Sequence, residues 1–231
     1  LMIEVCMATF NGASYIVDQL ESIFAQSVAV DRITIIDDAS TDTMVELIEN
    51  FRSDKINLIK NEVNVGYTKT FEKALSQSTF EYIFLCDQDD IWLQNKVEEC
   101  LRLFEINGKA NLVVHRLRYV NQNLDPFEKT RQPLKGFYGK FQLVREFLSP
   151  RFFGCAMVLK RELLELVLPF PDSVYTHDHW ISTASMISGS FLATDKELIL
   201  YRRHFNALTS HNRDPFFETL KNRVFFLKNI K

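Results

Sequence analysis

The sequence predicts an α/β fold with a mostly parallel, Rossmann-like central sheet flanked by helices. From residue 2 to about 120, short apolar runs alternate with amphipathic stretches of helical spacing, as in repeated β-α units. Acidic residues follow two of these runs, and open α/β sheets bind ligands at the carboxyl ends of their strands. The 231 residues, 46% of them hydrophobic, are enough to bury one large core.

The individual elements follow from the spacing of the apolar residues. Strands are predicted over 3–8, 32–36, 56–59, 82–86 and 111–114, and helices over 14–26, 43–51 and 68–76. In the first helix, Ile16, Leu20 and Ile23 fall on one face, and Ser14 is a candidate N-cap. A fourth helix follows the second acidic cluster and ends at Gly108.

The pattern changes over residues 115–151. This stretch has eight Lys or Arg against three acidic residues, and Pro and Gly interrupt its periodicity. It is predicted to be a long loop that serves as a lid or binding segment, with disorder as the alternative. Beyond it, strands are predicted over 154–159 and 197–201, and helices over 161–168 and 180–187.

Charge and cysteine usage exclude several classes of protein. The net charge of −3 and the pI of about 6.0 argue against a nucleic-acid partner, because such proteins neutralise phosphates with a basic surface. The four cysteines form no C-x-x-C pair, so reduced core thiols are expected rather than a zinc site. No apolar run of about 18 residues and no signal peptide is seen, so we expect a cytoplasmic protein.

The most informative segment is Asp87-Gln88-Asp89-Asp90, which directly follows a buried strand. Carboxylate oxygens at this position favour Mg²⁺ or Mn²⁺, which bind through one or two carboxylates together with substrate phosphates. The alternative is that these aspartates only end the strand and cap the next helix. We favour the cation site, because clustered acids repel each other unless a cation relieves them.

A second acidic segment, Asp37-Asp38-Ala39-Ser40-Thr41-Asp42, ends the second strand at the same predicted edge of the sheet. A carboxylate there can accept a hydrogen bond from the imide N–H of uracil or thymine. Ser40 and Thr41 are candidates to cap the following helix.

Two further motifs carry polar groups toward this edge. In His177-Asp178-His179-Trp180, Asp178 can act as a general base, with an N-cap role as the alternative, and the two histidines are expected to make local hydrogen bonds. In Tyr201-Arg202-Arg203-His204, the arginines match phosphate geometry and the imidazole can bind a metal or a diphosphate. Gly66 is expected to permit a tight turn before the third helix.

Taken together, these segments resemble family 2 glycosyltransferases, which have the A-type glycosyltransferase fold. The residues that carry the resemblance are Ala8-Thr9-Phe10-Asn11-Gly12, the 36–42 segment, Asn64-Val65-Gly66, Asp87-Gln88-Asp89, Gly154-Cys155-Ala156-Met157, His177-Asp178 and Tyr201-Arg202-Arg203-His204. The resemblance covers residues 5 to about 210. It departs from the family at His177, where Glu is frequent, and at Ala39, where Gly is common.

The resemblance implies a role for each matching residue. It makes Asp178 the catalytic base and assigns Asp89 and His204 to the metal. The implied donor-binding residues are Ala8, Thr9, Phe10, Asn11, Asp38, Gly66, Asp87, Gln88, Arg202 and Arg203. The implied acceptor-binding residues are Trp92, Gly154, Cys155, His177, His179 and Trp180. It also implies inversion at the anomeric carbon.

The implied organisation is one catalytic domain over 1–210 and a C-terminal amphipathic helix over 211–231. Within the domain, 1–110 is the nucleotide-binding half and 111–210 the acceptor-binding half. The basic face of the helix can lie on the inner face of the cell membrane, whereas packing on its own domain or on a second protomer of a homodimer is the alternative.

Two motifs, Asp-Gln-Asp-Asp-Ile-Trp and the closing Tyr-Arg-x-His, further resemble those of bacterial rhamnosyltransferases of O-antigen, capsule or other surface polysaccharide synthesis. That resemblance implies a dTDP-linked rhamnose donor and a glycan acceptor linked to polyprenyl diphosphate. The alternatives are a hexosyltransferase that uses a UDP-sugar and a sugar-nucleotide-binding module without transfer activity. A nucleotidyltransferase is disfavoured, because residues 8–14 contain no Lys or Arg for a phosphate loop.

Overall fold

A computed structural model describes residues 1–127, 136–138, 152–172, 174 and 176–204. The strands are β1 (Ile3–Thr9), β2 (Arg32–Asp37), β3 (Ile56–Lys60), β4 (Tyr82–Cys86), β5 (Ile91–Trp92), β6 (Leu112–Val120), β7 (Gly136–Tyr138), β8 (Met157–Lys160) and β9 (Phe191–Arg202). The α-helices are α1 (Ile16–Phe24), α2 (Met44–Asn50), α3 (Tyr67–Gln77), α4 (Lys96–Ile106), α5 (Leu164–Val167) and α6 (His177–Ser188). Short 3₁₀ turns cover Gly154–Ala156 and Arg161–Leu163.

The nine strands form one sheet in the order β3-β2-β1-β4-β8-β6-β9-β5, with β7 paired to β9. The first four strands in this order are parallel, as predicted from the alternating pattern. Beyond β4 the sheet is mixed, because β8 pairs antiparallel with both β4 and β6 while β6 and β9 run parallel. The predicted α/β class is confirmed, with an all-parallel part formed by β1 to β4 and a mixed part formed by the later strands.

Helices cover the sheet with the apolar faces expected from their spacing. Ile16, Leu20 and Ile23 of α1 are fully buried, and so are Val97 and Cys100 of α4. At about 25 cal/mol per Å² of apolar surface removed from water, this burial is the main stabilising contribution to the fold. It also fixes the position of the loops that follow each strand.

Several predicted boundaries were wrong. The predicted loop from His115 begins too early, because β6 continues to Val120 and its charged residues lie on one exposed face, where Arg118 pairs with Glu197 of β9 at 3.0 Å. The strand predicted over 197–201 begins at Phe191, and the helix predicted over 180–187 begins at His177. The rest of the predicted loop lies largely outside the described residues.

Other local predictions fail in instructive ways. The helix predicted over 161–168 is a 3₁₀ turn followed by the four-residue α5. Ser14 does not cap α1, whose N-cap is Tyr15, and neither Ser40 nor Thr41 caps α2, whose N-cap is Thr43. The C-terminal helix predicted over 211–231 lies outside the described residues. Within the described ranges, no helix is both long and apolar enough to cross a membrane.

Candidate active site

The carboxyl ends of β1, β2 and β4 lie side by side and carry the predicted site residues. Thr9 pairs with Asp37, and Met7 pairs with Cys86, so the loops that follow these strands leave the sheet at one edge. Ala8 and Thr9 are the last two residues of β1. The Thr9 side chain is buried, whereas Phe10, directly after the strand, is exposed. The sequence prediction of one shared edge is confirmed for these three strands.

Asn11 joins the loop after β1 to the loop after β2. Its side-chain oxygen accepts the N–H of Thr41 at 2.8 Å, and its own N–H donates to the Ser40 hydroxyl at 2.9 Å. Asn11 has φ 49°, and Ala39 has φ 64°, a left-handed conformation that glycine adopts more easily. The polar residues in these loops therefore hold the backbone in place, and Ser40 acts as an acceptor here rather than as a helix cap.

Gln88 joins the same loop to the acidic segment. Its side-chain amide pairs with the Phe10 backbone, accepting the N–H at 2.8 Å and donating to the carbonyl at 3.0 Å. Gly12 makes room for this pair, because a Cβ at Gly12 would lie 2.4 to 2.7 Å from the Gln88 amide atoms. Gln88, a predicted donor-binding residue, thus fixes the Phe10 backbone and connects the loop after β1 to the acidic segment.

Substituting Gly12 with Ala tests this arrangement. The obstructing atoms are the end of a flexible side chain, so we expect Gln88 to swing away and the protein to stay folded. Loss of the two hydrogen bonds, each about 1 kcal/mol, should weaken nucleotide binding by up to about 30-fold. Calorimetric titration with nucleotide measures the effect. Gly108→Ala is the matched control, because no atom lies within 4 Å of its added Cβ, and equal binding by both variants would contradict the role of Gln88.

Asp38 is buried behind the loop that precedes α3. It accepts hydrogen bonds from Asn61 Nδ2 at 2.8 Å, from the Val65 N–H at 2.9 Å and from the Gly66 N–H at 2.8 Å. Gly66 has φ 86° and caps α3, which confirms the predicted turn. A carboxylate has about four acceptor positions, so Asp38 keeps one beyond these three for a further donor such as a base imide.

The predicted metal pair is brought together across the sheet edge. His204 Nε2 lies 2.8 Å from Asp89 Oδ2, and the His204 ring stacks on Tyr15 with centroids 4.5 Å apart. A carboxylate and an imidazole suit Mn²⁺ and also admit Mg²⁺ at the carboxylate. Because the two side chains meet, a carboxylate oxygen of Asp89 and an imidazole nitrogen of His204 fit the same divalent cation. Tyr15, which the sequence analysis missed, holds the imidazole in place.

Asp87 lies in a strongly acidic environment. Burial, followed by the charges of Asp89 and Asp178, raises the pKa of Asp87 to about 7. Because the folded-state pKa exceeds the ordinary value, Asp87 lowers the stability of the metal-free protein progressively as the pH rises from about 4 to about 7. A bound cation would favour the ionised form.

This shift predicts that nucleotide binding with Mn²⁺ depends on pH. Since the proton must leave Asp87 before a cation and its diphosphate bind nearby, affinity should fall about tenfold for each pH unit below 7 and level off above it. Titration calorimetry at pH 5.5 to 8.5, in two buffers of different ionisation enthalpy, measures the released proton. Asp87→Asn is the control, and a variant that kept the full pH dependence would assign the proton to another group.

A second group of potential ligands lies deeper and suits these cations poorly. Asp87, Asp90 and Cys155, here called the inner cluster, have ligand atoms within 4.8 Å of one another. Burial and the neighbouring carboxylates raise the pKa of the Cys155 thiol well above its usual range, so the sulfur stays protonated. A protonated, soft sulfur does not favour Mg²⁺ or Mn²⁺, and the outer Asp89 and His204 pair is the better fit.

Asp178 lies in the first turn of α6. The N-cap is Thr176, so the alternative N-cap role of Asp178 is wrong. The His179 N–H donates to Asp178 Oδ1 at 2.7 Å, which fixes the carboxylate. Its charge contributes to the raised pKa of Asp87, so the two carboxylates lie close enough to interact. Asp178 and His179 are partly exposed, as a base that must meet a substrate requires.

The other residues predicted to contact an acceptor are buried: Trp92, Gly154, Cys155, His177 and Trp180. The Trp180 indole donates to the Val167 carbonyl at 2.8 Å and thereby holds α6 against α5. The backbone N–H of Trp92 donates to the Ser22 hydroxyl at 3.0 Å. Because they are buried, these side chains are not exposed to contact an acceptor directly.

His177 fills the space between α3 and the Gly154 turn. Its ring stacks on Phe71 with centroids 4.1 Å apart and meets Tyr67 edge-on at 5.8 Å. Neither ring nitrogen has a hydrogen-bond partner among the residues that the structure describes, in contrast to the expected local hydrogen bonds. Burial lowers the pKa of His177, although Asp178 opposes the shift, so the ring is neutral near neutral pH.

The two arginines at the end of β9, Arg202 and Arg203, have different environments. The Arg202 guanidinium is buried, pairs with Asp18 at 3.0 Å and lies over the Tyr15 ring. Its Nε–H lacks a partner within the described part of the chain. Arg203 is partly exposed, and its backbone N–H donates to the Val120 carbonyl at 2.8 Å. Asp18, like Tyr15, gave no signal in the sequence, because its partner is distant along the chain.

The fold and this edge of polar residues agree with comparison to known proteins. Residues 4–168 match the family described as Glycosyl transferase family 2. This chain therefore belongs to that family.

Curated relatives and solved structures extend the comparison. The dTDP-rhamnosyl transferase RfbG of Shigella flexneri is 28% identical over 218 residues, 87% of this chain and 72% of that protein. The UDP-Glc:alpha-D-GlcNAc-diphosphoundecaprenol beta-1,3-glucosyltransferase WfgD of Escherichia coli is 28% identical over 182 residues, 78% of this chain and 68% of that protein. TarS residues 1–349 of S. aureus, solved with UDP-GlcNAc, superpose with a TM-score of 0.78 at 18% identity, covering 100% of this chain and 68% of that one. The fold is the A-type glycosyltransferase fold.

Proposed function

We propose that this chain is the catalytic domain of an inverting, metal-dependent glycosyltransferase of bacterial surface glycan synthesis. The observation that carries the proposal is the meeting of the Asp89 and His204 side chains, 2.8 Å apart, at the edge where Asp178 lies close enough to act on Asp87. A cation-binding pair and a partly exposed carboxylate in one place are what direct sugar transfer requires.

The donor side would be assembled from the loops after β1, β2 and β4. The remaining acceptor position of Asp38 suits the imide of uracil or thymine, with Ala8, Thr9 and Phe10 beside it. Asp89 and His204 would hold Mg²⁺ or Mn²⁺, and this cation, when bound, offsets the charge that develops on the departing nucleoside diphosphate.

Asp178 would act on the acceptor side. Its carboxylate takes the proton of the acceptor hydroxyl as the hydroxyl oxygen attacks the anomeric carbon. A bond forms from that oxygen to the carbon while the bond from the carbon to the diphosphate oxygen breaks on the opposite face. Inversion follows, and no covalent enzyme intermediate is needed. The neutral His177 leaves Asp178 without a cationic neighbour on that side.

The donor is proposed to be dTDP-rhamnose, with a UDP-hexose as the second candidate. RfbG is named as a dTDP-rhamnosyl transferase and WfgD as a glucosyltransferase that uses UDP-Glc, and both are 28% identical to this chain. The WfgD name includes a diphosphoundecaprenol-linked acceptor, which supports a lipid-diphosphate-linked glycan here. We further propose that 1–110 binds the nucleotide and 111–210 the acceptor, and that 211–231 contacts the inner membrane face or a second protomer.

A nucleotide panel tests the proposal. UDP, dTDP, GDP and CDP are added with and without Mn²⁺, and the thermal midpoint of unfolding is measured, because a ligand that binds the native state raises it. Stabilisation by dTDP or UDP that requires Mn²⁺ is expected, followed by donor hydrolysis or transfer to a glycan acceptor. Binding without any hydrolysis or transfer would favour a non-catalytic module, and no response to any nucleotide would overturn the proposal.

A further inference from the structure

Lys96 occupies a position that local rules disfavour. It is the first residue of α4, and its side chain is 0% exposed. The ammonium donates to the Cys155 carbonyl at 2.8 Å and lies 3.9 Å from the centre of the Trp92 ring. A cation at a helix N-terminus opposes the helix dipole, and burying an ammonium is costly unless charges or hydrogen bonds compensate it. A lysine kept here must therefore be balanced by its surroundings.

Two contacts supply this balance. The Cys155 carbonyl accepts a hydrogen bond from the ammonium, and the ammonium lies over the face of the Trp92 ring, which favours a cation. Asp90 of the inner cluster is 0% exposed, and its Oδ1 accepts the Arg202 backbone N–H at 3.1 Å. Burial raises the pKa of Asp90 well above its usual range, so this carboxyl is neutral near neutral pH.

Lys96 also contacts the backbone that supports the general base. The Cys155 carbonyl belongs to the turn Gly154–Ala156, and Gly154 packs so closely on His177 that an added Cβ would lie 2.3 Å from Nε2. His177 directly precedes Asp178 in α6. A shift of this turn must therefore move His177 and with it the carboxylate.

We propose that Lys96 is a positioning residue for sugar transfer: it ties the start of α4, which follows the acidic segment, to the turn that supports Asp178. This inference rests on the proposed function and deepens it.

Lys96→Met tests the positioning role, since methionine keeps most of the volume without the charge or the donor. Active sites are first counted by nucleotide binding with Mn²⁺, so that any unfolded fraction is removed from the comparison. Per active site we expect kcat to fall about 10- to 100-fold, the effect of a displacement near 1 Å, while nucleotide affinity changes less than about threefold. Lys69→Met, at an exposed position in the first turn of α3, is the matched control and should retain kcat.

Lys96→Gln separates the charge from the hydrogen bond, because the amide can still donate but carries no charge. An equal loss of kcat in the Gln and Met variants assigns the effect to the charge, and partial recovery in the Gln variant assigns it to the bond with Cys155. Either result supports the positioning role. Full kcat in both variants would overturn it.

Gly154→Ala keeps the inference testable if both Lys96 variants fail to fold, because its added Cβ would displace the His177 ring while Lys96 stays in place. We expect kcat per nucleotide-binding site to fall about 10-fold or more at nearly unchanged nucleotide affinity, and full kcat would show that this turn does not position Asp178 and would overturn the inference. Failure of the proposed function would look different, because wild type would then show neither nucleotide binding nor transfer.

Discussion

Asp178→Asn should abolish most sugar transfer while leaving donor binding intact. Asparagine keeps the shape of the side chain and can still accept the His179 N–H, but it cannot take a proton from an acceptor hydroxyl. General base catalysis contributes about 10²- to 10⁴-fold, so kcat should fall by that factor. Nucleotide affinity should stay within about threefold, because the carboxylate is not needed for the donor. Steady-state kinetics and nucleotide titration on the same preparation measure both.

Asp172→Asn provides the control for a nearby acidic residue. The Asp172 side chain is fully exposed and lies 3.8 Å from the Lys69 ammonium, so the kcat of this variant should match wild type. Full activity in Asp178→Asn would show that another group accepts the proton. A loss of donor affinity as large as the loss of kcat would instead place Asp178 in the donor site.

Asp89→Ala should remove metal-dependent nucleotide binding. The substitution deletes the carboxylate that meets His204 and leaves the imidazole without this partner. At a nucleotide concentration of 100 times Kd, wild type should gain about 2.7 kcal/mol of stability with Mn²⁺ present, and the variant should gain almost none. Thermal unfolding with and without Mn²⁺ measures the difference.

His204→Ala should reduce the same stabilisation less severely, since a carboxylate remains. Asp54→Ala, at an exposed position after α2, is the control and should respond to Mn²⁺ as wild type does. An undiminished response in Asp89→Ala would place the cation elsewhere, with the inner cluster as the next candidate.

The first half of the chain could be predicted well because its signals are local. The strands β1, β2 and β4 are apolar runs that the chain needs to bury, and polar residues mark where each strand ends. Since parallel strands end at one edge, the proximity of the loops at Phe10, Asp38 and Asp87 followed from the order of elements alone. The positions of those loops, but not the contacts within them, were determined by the sequence pattern.

The second half was harder because its strands are mixed in direction and carry charged residues in otherwise buried runs. In β6 the charged residues suggested a loop, whereas Arg118 is neutralised by Glu197 on the adjacent strand. A pairing between strands so far apart in sequence leaves no local signal. Whether a strand could accommodate the charged residues of β6 could be judged only once their partners were known.

Contacts within the site escaped prediction for the same reason. Lysine is usually an exposed residue, so the sequence does not reveal that Lys96 is buried. Nothing nearby in the sequence indicates the Cys155 carbonyl that accepts its hydrogen bond. Gln88 reads as a spacer between two aspartates, yet its amide fixes the Phe10 backbone. Tyr15 lies at the start of α1, and its ring stacks on His204, which follows β9.

The contact between Asp89 and His204 joins residues 115 positions apart. One comes from the loop after β4 and the other from the end of β9, on opposite sides of the mixed part of the sheet. A cation held by both would act as a crosslink that closes this length of chain. A donor that brings this metal would then do more than deliver a sugar, because the metal would fasten β9 to the loop after β4 and would couple local opening of β9 to nucleotide release.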